Sequence, residues 1–277
     1  MNYYCLIAGL PDIHADDTKN ISSVTEIKAE LTEQLSVSDA ALLKLLYAVY
    51  DNRNLLTWLD NREAALHAAG NLAAADWEQL VVLIRENESP KDDRLLPYIH
   101  TFLSTYTDEN IVNNFSREDY LTGLYYEHAM KCGNRFLRDW FEFNLNVNNI
   151  LTAITCRKHG FDPKLMIIGQ NEVAAVLRQT NARDFGLNGI FEHLEILIRI
   201  GEEKDLLERE KKIDALKWNW LEENSFFNYF GIEKILAFVL RVEMIERWKM
   251  LSVEKGASIF RDMLANLKQD IKIEDNE

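Results

Sequence analysis

The stretch Tyr229-Phe230-Gly231-Ile232-Glu233-Lys234-Ile235-Leu236-Ala237-Phe238-Val239-Leu240-Arg241-Val242-Glu243-Met244-Ile245-Glu246-Arg247-Trp248-Lys249-Met250-Leu251 decides the fold class of this chain. Gly231 offers a helix start, and the six successive apolar residues Ile235 to Leu240 leave no solvent face for almost two turns. Such a helix is buried and central. Its second half changes character, because Arg241, Glu243, Glu246, Arg247 and Lys249 crowd together, with Glu243 and Arg247 at the i,i+4 spacing that brings side chains into contact. A buried helix thus emerges at a polar end.

Working outward, the same helical periodicity fills the chain. Tyr3 to Ala8 is a short aromatic run bounded by Gly9 and Pro11, expected as a buried N-terminal plug, extended or helical. Ile21–Leu35 is amphipathic, and Ser36 or Asp39 can cap a helix to about Tyr50 that Asp51–Asp60 can continue. Ala73–Glu88 stops at Pro90; in Asp92–Thr107, Asp92 and Asp93 suit a first turn and Pro97 falls inside, where it would kink the helix. Ser116 caps a helix to about Cys132, and Asn134–Lys158 is a long helix ended by Gly160. Further helices are expected over Asn171–Gln179, Asn188–Ile200, Glu202–Glu223, Gly231–Leu251 and Val253–Lys268, with a charged, frayed tail from Asp270. The fold class is all-α, with no βαβ pattern.

Composition narrows function. The 277 residues carry a formal net charge of −14, and the first hundred hold 8 basic against 16 acidic side chains. Phosphate binding needs a basic surface, so nucleic acid is excluded as a partner; an acidic surface keeps a chain soluble and can steer a basic protein partner. Cys5, Cys132 and Cys156 are an odd number without a Cys-x-x-Cys pair, which fits a reducing compartment rather than a disulfide framework or zinc site. No basic segment precedes an apolar run at the N-terminus, and no stretch reaches the ~18 apolar residues of a membrane span, so any membrane role is expected to be peripheral.

Three segments share one pattern, an apolar run interrupted by a polar cluster: Leu45–Leu56, Trp140–Leu151 and Ala237–Trp248. Asp51, Asn146 and Glu243 correspond, at separations of 95 (146 − 51) and 97 (243 − 146) residues. Amphipathic helices resemble one another by composition, but a polar break at the same place in each points to three divergent helical repeats, at about 1–90, 91–185 and 186–277, interleaved into one unit. Equivalent clusters on equivalent helices could ring a common mouth.

Motifs that carry chemistry are missing from the sequence. The six histidines are scattered singly, without His-Glu-x-x-His or the Glu-x-x-His pairs of di-iron bundles. Asp92-Asp93 invites comparison with aspartate-rich metal motifs, but a helix N-terminus explains the pair better. Phosphate-cradling, dinucleotide and nucleophile-elbow sequences do not occur. No catalytic residue, metal ligand or cofactor is assigned. Asn144, Asn146, Asn148 and Asn149 are unusual for a helix; their face is either solvated or meets a partner or a water-filled cavity.

At the three segments the chain resembles the C subunit of V/A-type rotary ATPases, called d in vacuolar enzymes, and more closely an uncharacterised bacterial family encoded with such ATPases. The likeness is carried by Asn146 to Gly160, where an Asn-Ile stretch runs into Arg157-Lys158 and a glycine, by Asp51 to Leu56, by Ile235 to Trp248 with Glu243 and Arg247, and by the opening Tyr3 to Pro11. Asn146 stands where the family often has an acid, and Pro90 and Pro97 interrupt an expected helical stretch. The resemblance implies a funnel of three helical domains, without a catalytic site or cofactor. It implies a cytoplasmic subunit at the periphery of the inner membrane, its base on the membrane rotor ring and its mouth around the central-stalk tip, passing torque between them. The mouth is expected near Asp51, Arg53, Asn54, Asn149, Arg157, Glu243 and Arg247. Two other classes stay open: a helical enzyme whose acidic cavity binds a metal or cationic substrate, and a helical scaffold for another complex.

Overall fold

A computed structural model of the chain describes residues 2–15, 17, 21–85, 94–106, 116–180 and 182–250. Among these residues the structure is all-helical, with eleven α-helices. They are α1 (Tyr4–Gly9), α2 (Val24–Gln34), α3 (Val37–Asp60), α4 (Ala74–Arg85), α5 (Pro97–Tyr106), α6 (Arg117–Ala129), α7 (Arg135–His159), α8 (Glu172–Gln179), α9 (Leu194–Gly201), α10 (Leu206–Ser225) and α11 (Ile232–Met250).

Local chemistry sets most of these limits. Ser36, Ser116 and Asn134 accept from the backbone N–H three residues on and so cap α3, α6 and α7, and Ser23 forms a full capping box with Glu26 at α2. Each such cap contributes on the order of 1 kcal/mol by satisfying a donor that the first turn leaves open. Helix α7 stops where Gly160 turns left-handed, at φ 73°, and the N–H of Phe161 closes back on Cys156. Pro97 does not kink a helix: it opens α5, at a position where its missing N–H costs nothing. Helix α9 is shorter than Asn188–Ile200, because Gly186 and Gly189 adopt positive φ and the chain turns through them.

The core is built around the opening stretch. Ile235 to Leu240 are all buried, the least so being Leu240 at 6% exposure, so every face of that part of α11 meets protein. Helix α11 packs on α10 and α2, and the contacts continue from α2 to α3, α3 to α6, α6 to α7 and α7 back to α10. Six helices therefore form a closed cycle of three hairpins, α2–α3, α6–α7 and α10–α11. Helices α4 and α5 cover α3 and α6, and α8 and α9 pack on α7.

Side chains staple the hairpins to one another. Asn134, at the α6–α7 turn, donates to Glu233 of α11 at 3.0 Å. Tyr3 donates its N–H to the Phe230 carbonyl and its hydroxyl to Asp39, and accepts from the Ser36 N–H, tying the α10–α11 turn to the start of α3. The N-terminal run is accordingly helical but not a buried plug. Only Tyr3 of it is buried, while Tyr4 lies on the Phe230 ring at the surface. The expected helix Val253–Lys268, the tail from Asp270, and Pro90, Asp92 and Asp93 fall outside the described residues.

Candidate functional site

The polar clusters of α3 and α7 do the same structural task. On α3, Asp51 Oδ1 accepts the N–H groups of Asn71 and Leu72 at 2.6 and 3.1 Å, and its other oxygen accepts from the Asn71 amide at 2.5 Å. One turn later Asn54 makes a two-way bond with the His67 backbone, accepting at 2.7 Å and donating at 3.0 Å. On α7, Asn146 accepts from the Asn171 amide at 2.7 Å, and one turn later Asn149 makes the same two-way bond with the Ile168 backbone, at 3.0 and 2.7 Å. Each long helix fastens the loop that follows it by satisfying backbone groups that burial would otherwise leave open.

A cation finishes each fastening. Lys28 donates to the Ala69 and Gly70 carbonyls at 2.6 and 2.8 Å, and Arg178 donates to those of Ile167 and Gly169 at 2.8 and 2.6 Å. Glycine makes both approaches possible. A Cβ on Gly70 would stand 2.4 Å from the Asn54 amide, and Gly169 combines a φ of 81° with Leu145 at 2.8 Å from where its Cβ would be. Burial pushes the Asp51 carboxyl up, while the Asn71 and Leu72 bonds and the Lys28 charge hold it down.

The asparagine face of α7 is therefore neither solvated nor a partner surface in its entirety: Asn146 and Asn149 are buried and spent within the chain. Asn144 and Asn148 both donate to the Tyr126 hydroxyl, at 2.7 and 3.5 Å. Asn148 also accepts from Lys217 of α10 at 3.3 Å.

Helix α11 departs from this pattern. Glu243, at the spacing of Asp51 and Asn146, fastens no loop. It lines a groove of about 330 Å³ enclosed by α3, α6, α7, α10 and α11. Burial pushes its carboxyl up to about 8, with the Tyr50 hydroxyl and the Arg53 charge acting against the shift. One turn on, Glu246 accepts the N–H of Val24 at 2.8 Å and Lys249 donates to the Ile21 carbonyl at 3.3 Å, so α11 holds the N-terminal entry of α2.

The i,i+4 pair expected between Glu243 and Arg247 does not form. Arg247 turns to α10, bonding Asp214 and, at 3.4 Å, Glu210. Those two carboxylates lie one turn apart on the neighbouring helix and outcompete a single one along its own helix.

Of the seven residues expected at a mouth, the structure brings Arg53, Glu243 and Arg247 to this groove. Asp51, Asn54 and Asn149 are buried behind their loops. Arg157 lies elsewhere, donating to the Ala182 and Arg183 carbonyls at 2.6 and 2.9 Å with its guanidinium 3.6 Å from the Phe185 ring centre.

Tyr50, Asn144, Tyr126, Trp140 and Lys217 also line the groove and were not among those seven. Lys217 had a signal: it follows Ile213 by four residues and so shares the buried stripe of α10. Burial lowers its ammonium to about 8. The groove is of mixed charge, with Arg53, Lys217 and Arg247 set against Asp214, Glu243 and Glu246, rather than an acidic cavity. Among the described residues no group of three or more His, Cys, Asp or Glu could hold a metal ion, and no helix is long and apolar enough to cross a membrane.

Fold and groove define an all-α protein in which α3, α6, α7, α10 and α11 enclose a cleft of mixed charge. The chain belongs to the family described as protein of unknown function (DUF2764), whose model matches residues 1–271. No curated protein and no solved structure matches it.

Proposed function

We propose that this protein is a non-catalytic socket of a V/A-type rotary ATPase, a counterpart of the C/d subunit that couples the central stalk to the membrane rotor ring and transmits torque between them. The observation that carries the reading is the closed cycle α2–α3–α6–α7–α10–α11. Hairpin second helices begin at residues 37, 135 and 232, which are 98 and 97 residues apart (135 − 37 and 232 − 135), as a threefold helical repeat would have them. A part that passes torque must not shear, and each hairpin here is tied to the next by a buried or half-buried hydrogen bond: Tyr125 of α6 donates to the Leu45 carbonyl of α3, Asn134 of the α6–α7 turn to Glu233 of α11, and the Val24 N–H of α2 to Glu246 of α11. In this reading the chain is cytoplasmic, sits against the inner membrane only through protein partners, and presents the groove to the stalk.

Co-expression with the central-stalk subunits of a V/A-type ATPase from the same organism tests it. The expected result is a stoichiometric complex that survives gel filtration, with the rotor ring joining when membranes are included. A folded preparation that binds neither stalk nor ring overturns the proposal.

A further inference from the structure

Two buried acceptors in the groove have no donor. Glu243 Oε1 and Asn144 Oδ1 are both sealed from solvent and accept no hydrogen bond among the described residues. Leaving such groups open costs about 1–3 kcal/mol each, so a native fold that keeps two in one cleft has a stability deficit that a bound donor would remove.

The cations nearby do not fill the two open positions, although the Arg53 charge acts on the Glu243 carboxyl. Arg247 is turned to Glu210 and Asp214, Lys217 donates to Asn148, and the Arg53 guanidinium lies over the Tyr50 ring, 5.9 Å from its centre. Apolar side chains also line the groove, among them Val49, Trp140, Phe141 and Met244. At about 330 Å³ the groove is of ligand size and can take one long side chain.

We propose that the groove receives the guanidinium of an arginine presented by a protein partner, bound by Glu243 and Asn144, with its alkyl stem along Val49, Trp140 and Met244. A guanidinium fits better than an ammonium because its planar fork of five N–H donors can serve both acceptors at once while its face lies on an aromatic ring. A mobile lysine would satisfy the charge but not the two directions. The inference deepens the socket reading, on which it rests for the identity of the partner, by giving the chemistry of the group that enters.

The test uses the full chain and small probes. Butylguanidinium and the blocked residue N-acetylarginine methylamide are titrated against the ¹⁵N signal of the Trp140 indole, with butylammonium and butyramide for comparison. The expected result is a saturable shift with both guanidinium probes, weaker binding of butylammonium and none of butyramide. Glu243→Gln, checked as folded by circular dichroism, weakens the guanidinium probes at least tenfold, and Asn144→Leu weakens them less.

Absence of a saturable shift, or unchanged binding by Glu243→Gln, overturns the inference. Binding of butylguanidinium with rejection of the blocked arginine overturns a protein side chain as the source. The socket reading fails separately: probes that bind as expected to a protein that ignores the stalk subunits leave the groove chemistry standing and remove the partner. A stalk complex formed equally well by Glu243→Gln removes the arginine contact and leaves the socket.

Discussion

Helices α3 and α7 on one hand and α11 on the other carry a polar residue at matched spacing and use it in opposite ways. Asp51 and Asn146 are consumed by the loops they hold, whereas Glu243 points an unsatisfied oxygen into a cleft. The loops after α3 and α7 bring backbone donors back onto their own helix. On α11 the held backbone belongs to α2, more than two hundred residues earlier in sequence, and it meets Glu246 instead. Equal spacing fixes which turn of a helix is polar, and the returning chain decides whether that turn is structural or left available.

Removing the α3 fastening is expected to have the largest effect. Asp51→Ala deletes the acceptor of three N–H bonds and strands buried donors, and is expected to cost about 4 kcal/mol in urea unfolding. Asp51→Asn, which imports the α7 residue type, should cost clearly less. A loss under about 1 kcal/mol for Asp51→Ala would mean that loop 67–72 is held by its packing alone.

Glu243 should respond with the opposite sign. Its carboxyl, raised from 4.5 to about 8 on folding, keeps in the native state a proton that the unfolded chain releases, so stability falls as pH rises from about 4.5 to 8 and the full penalty applies above 8. Glu243→Gln removes that titration. It is expected to match the parent at pH 4 and to exceed it at pH 9 by on the order of 3 kcal/mol, read from thermal or urea unfolding at the two pH values. A Gln variant less stable than the parent at pH 9 would reveal an internal cation partner and remove the contrast with Asp51.

Asn54→Ala and Asn149→Ala test whether the two fastenings are equivalent. Each deletes a two-way bond to one residue's backbone, and each should cost about 2 kcal/mol, with faster amide exchange confined to its own loop. Strongly unequal losses would show that the shared geometry hides unequal energetics. The smallest effect is expected for Arg247→Ala, under about 1 kcal/mol and reduced further by salt, because its pairs with Glu210 and Asp214 sit at a partly open rim.

The site was legible only in part. The polar clusters and the family resemblance placed seven residues near one mouth, and of these the structure brings Arg53, Glu243 and Arg247 to the groove. Asp51, Asn54 and Asn149 carry the same signature but lie buried, because a polar residue on an apolar helix looks alike whether it faces a cleft or a returning loop. Arg157 follows α7 to its far end and meets the turn at Ala182 and Arg183, which no spacing along α7 could indicate.

By itself the sequence determined the all-α class, the burial of Ile235 to Leu240, and helix limits such as those at Ser36, Ser116, Asn134 and Gly160. These depend on side-chain periodicity and on caps within one turn, both of which are local. What each polar residue binds depends on the tertiary structure, since the partner is 9 residues away for Arg178, which binds Gly169, and 222 away for Glu246, which binds Val24. Hydrogen bonding is directional and short-ranged, so a donor's identity is fixed by where the fold delivers it. At Glu243 the fold delivers the Tyr50 hydroxyl alone, and Oε1 is left open.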